Sequence, residues 1–212
     1  MPMKEPLLQS NTPGSPAEPT PTTPEGWLHA AVRRHIRIGE EELVRFCAPF
    51  RPGALRKKDY LLQPGQVCAF EAFVTKGCLC LYALDARGHK HVLYFATEGW
   101  WVTDIDSFTS QTPSVLYVEA LEDTKFLLIR KPDKERLYEE LPVVERLFRL
   151  MTQRTHVVLQ RRLLASFSAS AAERYEDFLA TYPELVQRLT QQQIAAYLGI
   201  THEFVSKIRR RR

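Results

Sequence analysis

Apolar positions change their period along this chain, and each change marks a different kind of element. Between residues 55 and 129, short runs rich in Val, Leu, Phe and Tyr are broken by turn residues: Gln63-Pro64-Gly65, Lys76-Gly77 and Asp85-Ala86-Arg87-Gly88. Strand-forming runs at this spacing, with no helical pattern between them, predict an antiparallel roll or barrel. Gly88 suits the turn of a hairpin joining 78–84 to 89–95. From Pro132 the period becomes 3.5. Leu137, Leu141, Val144, Phe148, Met151, Thr155, Val158, Arg162 and Ala165 alternate at spacings of four and three. That is a coiled-coil seam, and Pro132 is well placed to open its helix. The reading is one long helix over 132–166 that pairs with the same helix of a second copy, giving a two-fold homodimer. Its interface would be Leu137, Leu141, Val144, Phe148, Met151, Thr155 and Val158. The other reading packs this stripe on the chain's own roll; Leu147, Leu150 and Val157 offer the roll a second stripe, and Arg162 interrupts the seam near its end.

Beyond the long helix, residues 166–172 are small and polar, which reads as a hinge. Helical patterns follow over 172–181, 191–198 and 201–210. The last two form a helix-turn-helix. Thr190 is a natural N-cap, with Gln193 three residues on as its capping-box partner. Ala195 is small where two helices cross. Gly199 permits the left-handed backbone of a sharp turn. Ile194, Leu198, Ile200, Val205 and Ile208 supply the core between the helices. Thr201 caps the second helix and leaves His202, Glu203, Ser206 and Lys207 pointing outward near its N-terminal half, the part that enters the major groove in this motif.

Charge sharpens that picture. The formal net charge is only +4, yet residues 1–153 carry 19 Lys and Arg against 20 Asp and Glu, whereas residues 154–212 carry 10 against 5. A basic end on a neutral body implies a polyanion partner, most simply double-stranded DNA. Arg209, Arg210, Arg211 and Arg212 would reach phosphates, and Thr190, Gln192 and Thr201 complete the predicted DNA-binding set.

The remaining features bound the function. Residues 1–24 hold seven of the fourteen prolines and read as a disordered tail; a short helical segment over about 27–46 follows it. Cys47, Cys68, Cys78 and Cys80 form no Cys-x-x-Cys pair, so they read as reduced thiols, with Cys78 and Cys80 on one face of a strand. No apolar run reaches membrane-span length and no signal peptide is evident, so the expected location is cytoplasmic. His89 and His91 form a His-x-His pair with Glu98 beyond. A metal-binding jelly-roll enzyme of the cupin type is therefore the alternative class, alongside a ligand sensor that does not bind DNA. Glu98 lies too far along for that pattern, and no nucleophile motif is present, so neither catalysis, nor a metal, nor a cofactor is expected.

A strand-rich domain, a long helix and then a helix-turn-helix is an order that resembles the Crp/Fnr family of bacterial regulators. The resemblance covers the chain after residue 25. Gln63-Pro64-Gly65, Lys76-Gly77 and Gly99-Trp100-Trp101 resemble the glycine landmarks of that family's cyclic-nucleotide-binding roll. Arg174-Tyr175, Tyr182-Pro183 and the run from Ile194 to Ile200 are similar to its Bacteroidetes-type branch. The resemblance implies an α+β chain: an antiparallel, jelly-roll-like β-roll over 25–131, a dimerisation helix over 132–166 and an all-α DNA-binding domain over 167–212. It further implies a homodimer on a palindromic site, with RNA polymerase as a further partner. Glu203 stands where family members read cytosine and Lys207 where an Arg reads guanine; Lys207 lacks the bidentate fork. Carried onto this chain, the effector site falls on Thr103, Asp104, Ser107 and Ser114. The family's phosphate-binding Arg is missing, and no Lys or Arg occurs between Lys90 and Lys125. A cyclic phosphate would lack its cation, so the pocket reads as degenerate and cyclic AMP is not the expected effector.

Overall fold

The computed structural model describes residues 21–210, so most of the proline-rich segment lies outside the described residues, as do Arg211 and Arg212. Eight strands form the centre: β1 (Arg51–Leu55), β2 (Tyr60–Leu62), β3 (Phe70–Lys76), β4 (Leu79–Leu84), β5 (Lys90–Ala96), β6 (Trp101–Val102), β7 (Tyr117–Ala120) and β8 (Thr124–Arg130). They pair antiparallel as two four-stranded sheets, ordered β1-β8-β3-β6 and β2-β7-β4-β5. The hairpin anticipated around Gly88 is β4–β5, with Gly88 at φ +81°.

Alternation along the strands divides the apolar residues between two faces. Ala72 and Val74 of β3 and Leu79 and Leu81 of β4 point between the sheets, where they meet Val102, Phe108, Val118 and Phe126. Phe73 points the other way, as do Cys78, Cys80 and Tyr82. Both sheets are therefore covered on both faces, which makes β3 and β4 almost continuously buried rather than half-exposed. Each large side chain removed from water in this way contributes about 1.5–3 kcal/mol. Gly77 joins β3 to β4 at φ +98°, and a Cβ there would lie 2.5 Å from Thr124 Oγ1 and 2.7 Å from the Asp123 carbonyl oxygen. Only glycine fits.

The outer face of the first sheet carries helices. The segment anticipated over 27–46 is two of them, α1 (Pro24–Arg33) and α2 (Glu40–Cys47), parted before Gly39, the N-cap of α2. Helix starts before residue 25: Thr23 is the N-cap of α1, its Oγ1 accepting from Gly26 N at 3.1 Å, and Pro24 occupies the first turn. A short α3 (Ile105–Ser110) follows β6. The long helix anticipated from Pro132 is also divided, into α4 (Lys131–Glu140) and α5 (Pro142–Ser168). Pro142 causes the break. Its ring excludes Leu141 from the helical region, and Leu141 sits at φ −136°, ψ 84°.

The first half of α5 packs on its own chain. Leu137, Leu141, Val144, Leu147 and Phe148 share one core with Leu28, Val32, Phe46, Phe73 and Ile129. This corrects the seam. Leu137, Leu141, Val144 and Phe148 are all buried, Val144 completely, and cannot meet a second copy. Met151 packs partly against the same core. Thr155 is exposed, and Val158 is half-buried. The apolar residues that α5 leaves exposed lie further on: Leu159, Leu163, Leu164 and Phe167.

Four helices close the described chain: α6 (Ala171–Thr181), α7 (Pro183–Arg188), α8 (Gln191–Leu198) and α9 (His202–Arg210). The sequence pattern anticipated all but α7. The break before α6 is narrow, with Ala169 extended and Ser170 closing a capping box with Glu173.

Candidate nucleic-acid interface and effector cavity

The helix-turn-helix is built from local chemistry. Thr190 Oγ1 accepts from Gln193 N at 3.2 Å, while Thr190 N donates to Gln193 Oε1 at 2.7 Å. Gly199 ends α8 in the left-handed region at φ 65°. Thr201 Oγ1 accepts from Phe204 N at 3.3 Å and so starts α9. Ile194, Ala195 and Val205 are buried between the helices. This leaves Thr201, His202, Glu203 and Lys207 on one exposed face, with Gln192 exposed on α8 and Arg210 exposed at the helix end. The amide at its own position and the Thr201 side chain hold the Glu203 carboxyl below its ordinary range, so it stays an acceptor. Ser206 is set differently: it is half-buried and donates to Gln191 Oε1 at 3.2 Å. The backbone of Arg209 lies in α9.

This unit rests on the outer face of the second sheet. Tyr175, Phe178, Ile194, Ala195 and Val205 form one core with Cys78, Cys80, Tyr82, Val92 and Phe95. Cys78 and Cys80 do share a face, as expected, and burial pushes the Cys78 thiol up to about 12; all four cysteines are free thiols. Two arginines pin the contact. Arg162 donates to the carbonyls of Val92, at 2.8 Å, and of Leu93 and Tyr197, with its guanidinium 3.9 Å over the Tyr197 ring. Arg188 makes a fork with Glu98 at 2.8 and 3.2 Å and also reaches Glu122. Nothing in the local pattern revealed Arg188. Arg162 did leave a signal, a charge inside an apolar seam, because it faces its own sheet.

A cavity of about 860 Å³ opens where roll, α5 and DNA-binding unit meet. Trp27, Tyr94, Trp100, Trp101, Phe148 and Tyr182 are among its walls. Five carboxylates line it, from Glu71, Glu98, Asp104, Asp106 and Glu184, against two guanidiniums, Arg162 and Arg188, both already engaged. Lys134 is a cation that reading along the sequence overlooked; buried, it donates to Glu71 Oε1 at 2.6 Å. The four residues carried over as effector ligands do lie together, but their polar groups are spent on one another. Asp104 caps α3, accepting from Asp106 N and Ser107 N, and takes the Ser114 hydroxyl at 2.6 Å. Ser107 accepts from Cys68 N and donates to Thr112 O. Thr103 Oγ1 donates to Phe70 O. These hydrogen bonds give all four a structural role, and Thr103 and Asp104 also line the cavity.

His89 and His91 sit exposed on the β4–β5 hairpin, both against Asp85 Oδ2, at 3.1 and 3.2 Å. Among the described residues no group of three His, Cys, Asp or Glu is arranged to hold a metal, and no helix is long and apolar enough to cross a membrane.

With this geometry in place, the relatives are informative. Residues 53–140 match the cyclic nucleotide-binding domain family. The transcriptional regulatory protein Btr of Bordetella pertussis is 33% identical over 146 residues, which span 64% of this chain and 60% of that protein. A solved regulator from Eubacterium rectale, assigned to the crp/fnr family, superposes with a TM-score of 0.62 at 18% identity, covering 82% of each chain. The chain thus carries a cyclic nucleotide-binding domain and shares the fold of these regulators. The c-di-GMP-responsive global regulator CLP of Xanthomonas campestris shares the Crp/Fnr-type fold at a TM-score of 0.69 and 13% identity, covering 82% of this chain and 91% of its own.

Proposed function

We propose that the chain is a sequence-specific, DNA-binding transcription regulator, not an enzyme, that works in the cytoplasm as a homodimer under the control of an uncharged, largely apolar effector. The observation that carries the DNA reading is the α9 surface: Val205 is fully buried beneath it, while His202, Glu203 and Lys207 stand exposed near the capped N-terminus. Glu203 and Lys207 are four residues apart and share a helical face. Glu203 accepts from cytosine N4, and Lys207 donates to guanine O6 or N7. Arg209 to Arg212 hold phosphates. Selection of genomic fragments by the purified protein tests this: a recurring palindrome is expected, and absence of any sequence preference overturns it.

The dimer rests on the far half of α5. Leu159, Leu163 and Phe167 repeat every four residues on one face, with exposures of 41%, 56% and 78%. A helix with its first half in its own core and an apolar stripe bare on its second half fits a second copy there.

The effector class follows from the aromatic cavity. A cyclic phosphate entering it would face more carboxylates than guanidiniums, and both guanidiniums are committed elsewhere. A flat or chain-like apolar molecule would instead bury its surface against tryptophan and tyrosine, while touching roll, α5 and DNA-binding unit together. Calorimetry with cyclic AMP should show no sub-micromolar binding; such binding would refute this part of the reading.

A further inference from the structure

The DNA-binding unit forms one wall of the aromatic cavity. Phe178, Tyr182, Pro183 and Tyr197 belong to that unit and line the same space as Trp100 of the roll and Met151 of α5. The side chains that hold the unit in place are part of the lining too: Arg162, Arg188 and Glu98. Glu98 accepts from Gly77 N at 2.7 Å and from the Arg188 fork, so it ties the turn between β3 and β4 to α7. Glu122 completes this clasp from outside the cavity: it pairs with Arg188 but does not line the space.

Two thiols lie beneath the unit. Cys78 and Cys80, 1% and 2% exposed, share a core with Phe178, Ile194 and Val205. Burial pushes the Cys78 thiol up to about 12, and the charges of Arg188, Glu122 and Glu98 are the next influences on it, which sets it close to the clasp. A thiol buried and kept protonated in this way reacts only after its cover lifts. Cys68 is as deeply buried, at 0%, but belongs to the core between the two sheets.

We propose that the effector is a docking ligand: it binds only while the DNA-binding unit is seated on the second sheet, and its binding holds the unit, and α9 with it, in that pose. This inference rests on the effector reading of the cavity. Lifting the unit takes away Phe178, Tyr182 and Tyr197, and with them much of the aromatic surface against which a ligand is buried. A ligand that binds one of two states shifts the balance toward that state by its differential affinity. The seated pose and the filled cavity therefore support each other. Glu122 serves this seating through Arg188, as a positioning residue for a ligand it does not touch.

The test is iodoacetamide labelling of the full chain, followed thiol by thiol through peptide mass mapping, with N-phenyl-1-naphthylamine as an uncharged aromatic probe. A separate fluorescence titration supplies the probe's dissociation constant, and saturable binding of one probe per chain is expected. Cys78 and Cys80 should label about tenfold faster than Cys68, because a lifted unit uncovers them while the roll stays folded. The probe should slow Cys78 labelling by one plus the ratio of its concentration to its dissociation constant, about elevenfold at a ratio of ten, with no plateau. Glu122→Gln breaks a partly exposed ion pair and should speed Cys78 labelling about two- to fivefold, with the same proportional slowing by the probe. Arg188→Ala should speed it further, by about tenfold; if that variant does not fold, Glu122→Gln still decides. Absence of saturable probe binding would defeat the effector reading, and this inference with it. Saturable binding that leaves Cys78 labelling unchanged, or slows it only to a plateau, would overturn this inference alone. So would equal labelling of Cys78 and Cys68, or Cys78 labelling no faster in Glu122→Gln than in the parent.

Discussion

Replacing Lys134 by Met should destabilise the fold by about 3–5 kcal/mol, whereas adding Glu71→Gln should recover most of that loss. The two side chains are 7% and 8% exposed and meet at 2.6 Å. At an effective dielectric constant of about 20, that separation gives an attraction of roughly 6 kcal/mol. Desolvation costs several kcal/mol for each ion, so the opposing terms are of similar size. The direction at Lys134 shows which prevails. Burial is the largest influence on its pKa and lowers it, Glu71 raises it, and the net value lies below that of an ordinary amine. The pair is thus a poor source of net stability, although each member depends on the other. Met alone would strand the Glu71 carboxylate and lose the contacts of the ammonium with Phe148, at 3.9 Å, and Phe108, at 4.9 Å, worth about 2 kcal/mol when desolvated. In urea unfolding monitored by circular dichroism, the single variant should lower the midpoint by about 1–2 M at unchanged slope; the double variant should come within about 1 kcal/mol of the parent. The pH dependence has a definite sign. A lowered amine pKa leaves the native state with fewer protons than the unfolded state between the native value and 10.5, so stability should rise with pH across that window and cease to do so in the Met variant. A single variant costing under 1 kcal/mol, or a double variant as unstable as the single, refutes the reasoning.

Other consequences can be checked separately. Leu163→Glu/Phe167→Glu should give monomers in sedimentation with little change in unfolding, whereas Val144→Glu should unfold the chain, because Val144 is completely buried; a monomeric, fully folded Val144→Glu protein would restore the original seam. Glu203→Ala should cost about 1–3 kcal/mol at one position of each half-site, while Arg211→Ala/Arg212→Ala should weaken all sequences alike and flatten the salt dependence; exchanged phenotypes would reverse these roles. Glu98 lies below the ordinary carboxylate range: burial alone would raise it, but the Arg188 side chain, the amides of Glu98 and Gly77, and the Arg188 charge together outweigh burial. The docking of the DNA-binding unit on the roll should therefore hold above about pH 4.5 and loosen as pH falls through the lower native value. Hydrogen exchange at α8 would register this, and no pH dependence beyond that of Arg188→Ala would count against it.

Much of this protein was legible one segment at a time. Thr190, Gln193, Gly199 and Thr201 act on atoms within four residues of themselves, so the helix-turn-helix and its exposed face could be read directly. The strands and the turn at Gly88 were legible for the same reason. Pro142 was equally local, and the break it makes in the long helix was overlooked because the apolar period runs through it undisturbed. What no period encodes is the occupant of an apolar stripe. A 3.5-residue repeat states that Leu137, Leu141, Val144 and Phe148 share a face, and a chain's own sheet satisfies that face as well as a second copy does. Only the packing of Phe73 and Ile129 beneath it decided the matter, and moved the free stripe to Leu159, Leu163 and Phe167. The same holds for charge. Lys134 meets Glu71 across 63 residues, and Arg188 meets Glu98 across 90. Such pairs leave no trace in local spacing, because the fold alone brings their atoms into the low-dielectric interior where the attraction becomes strong.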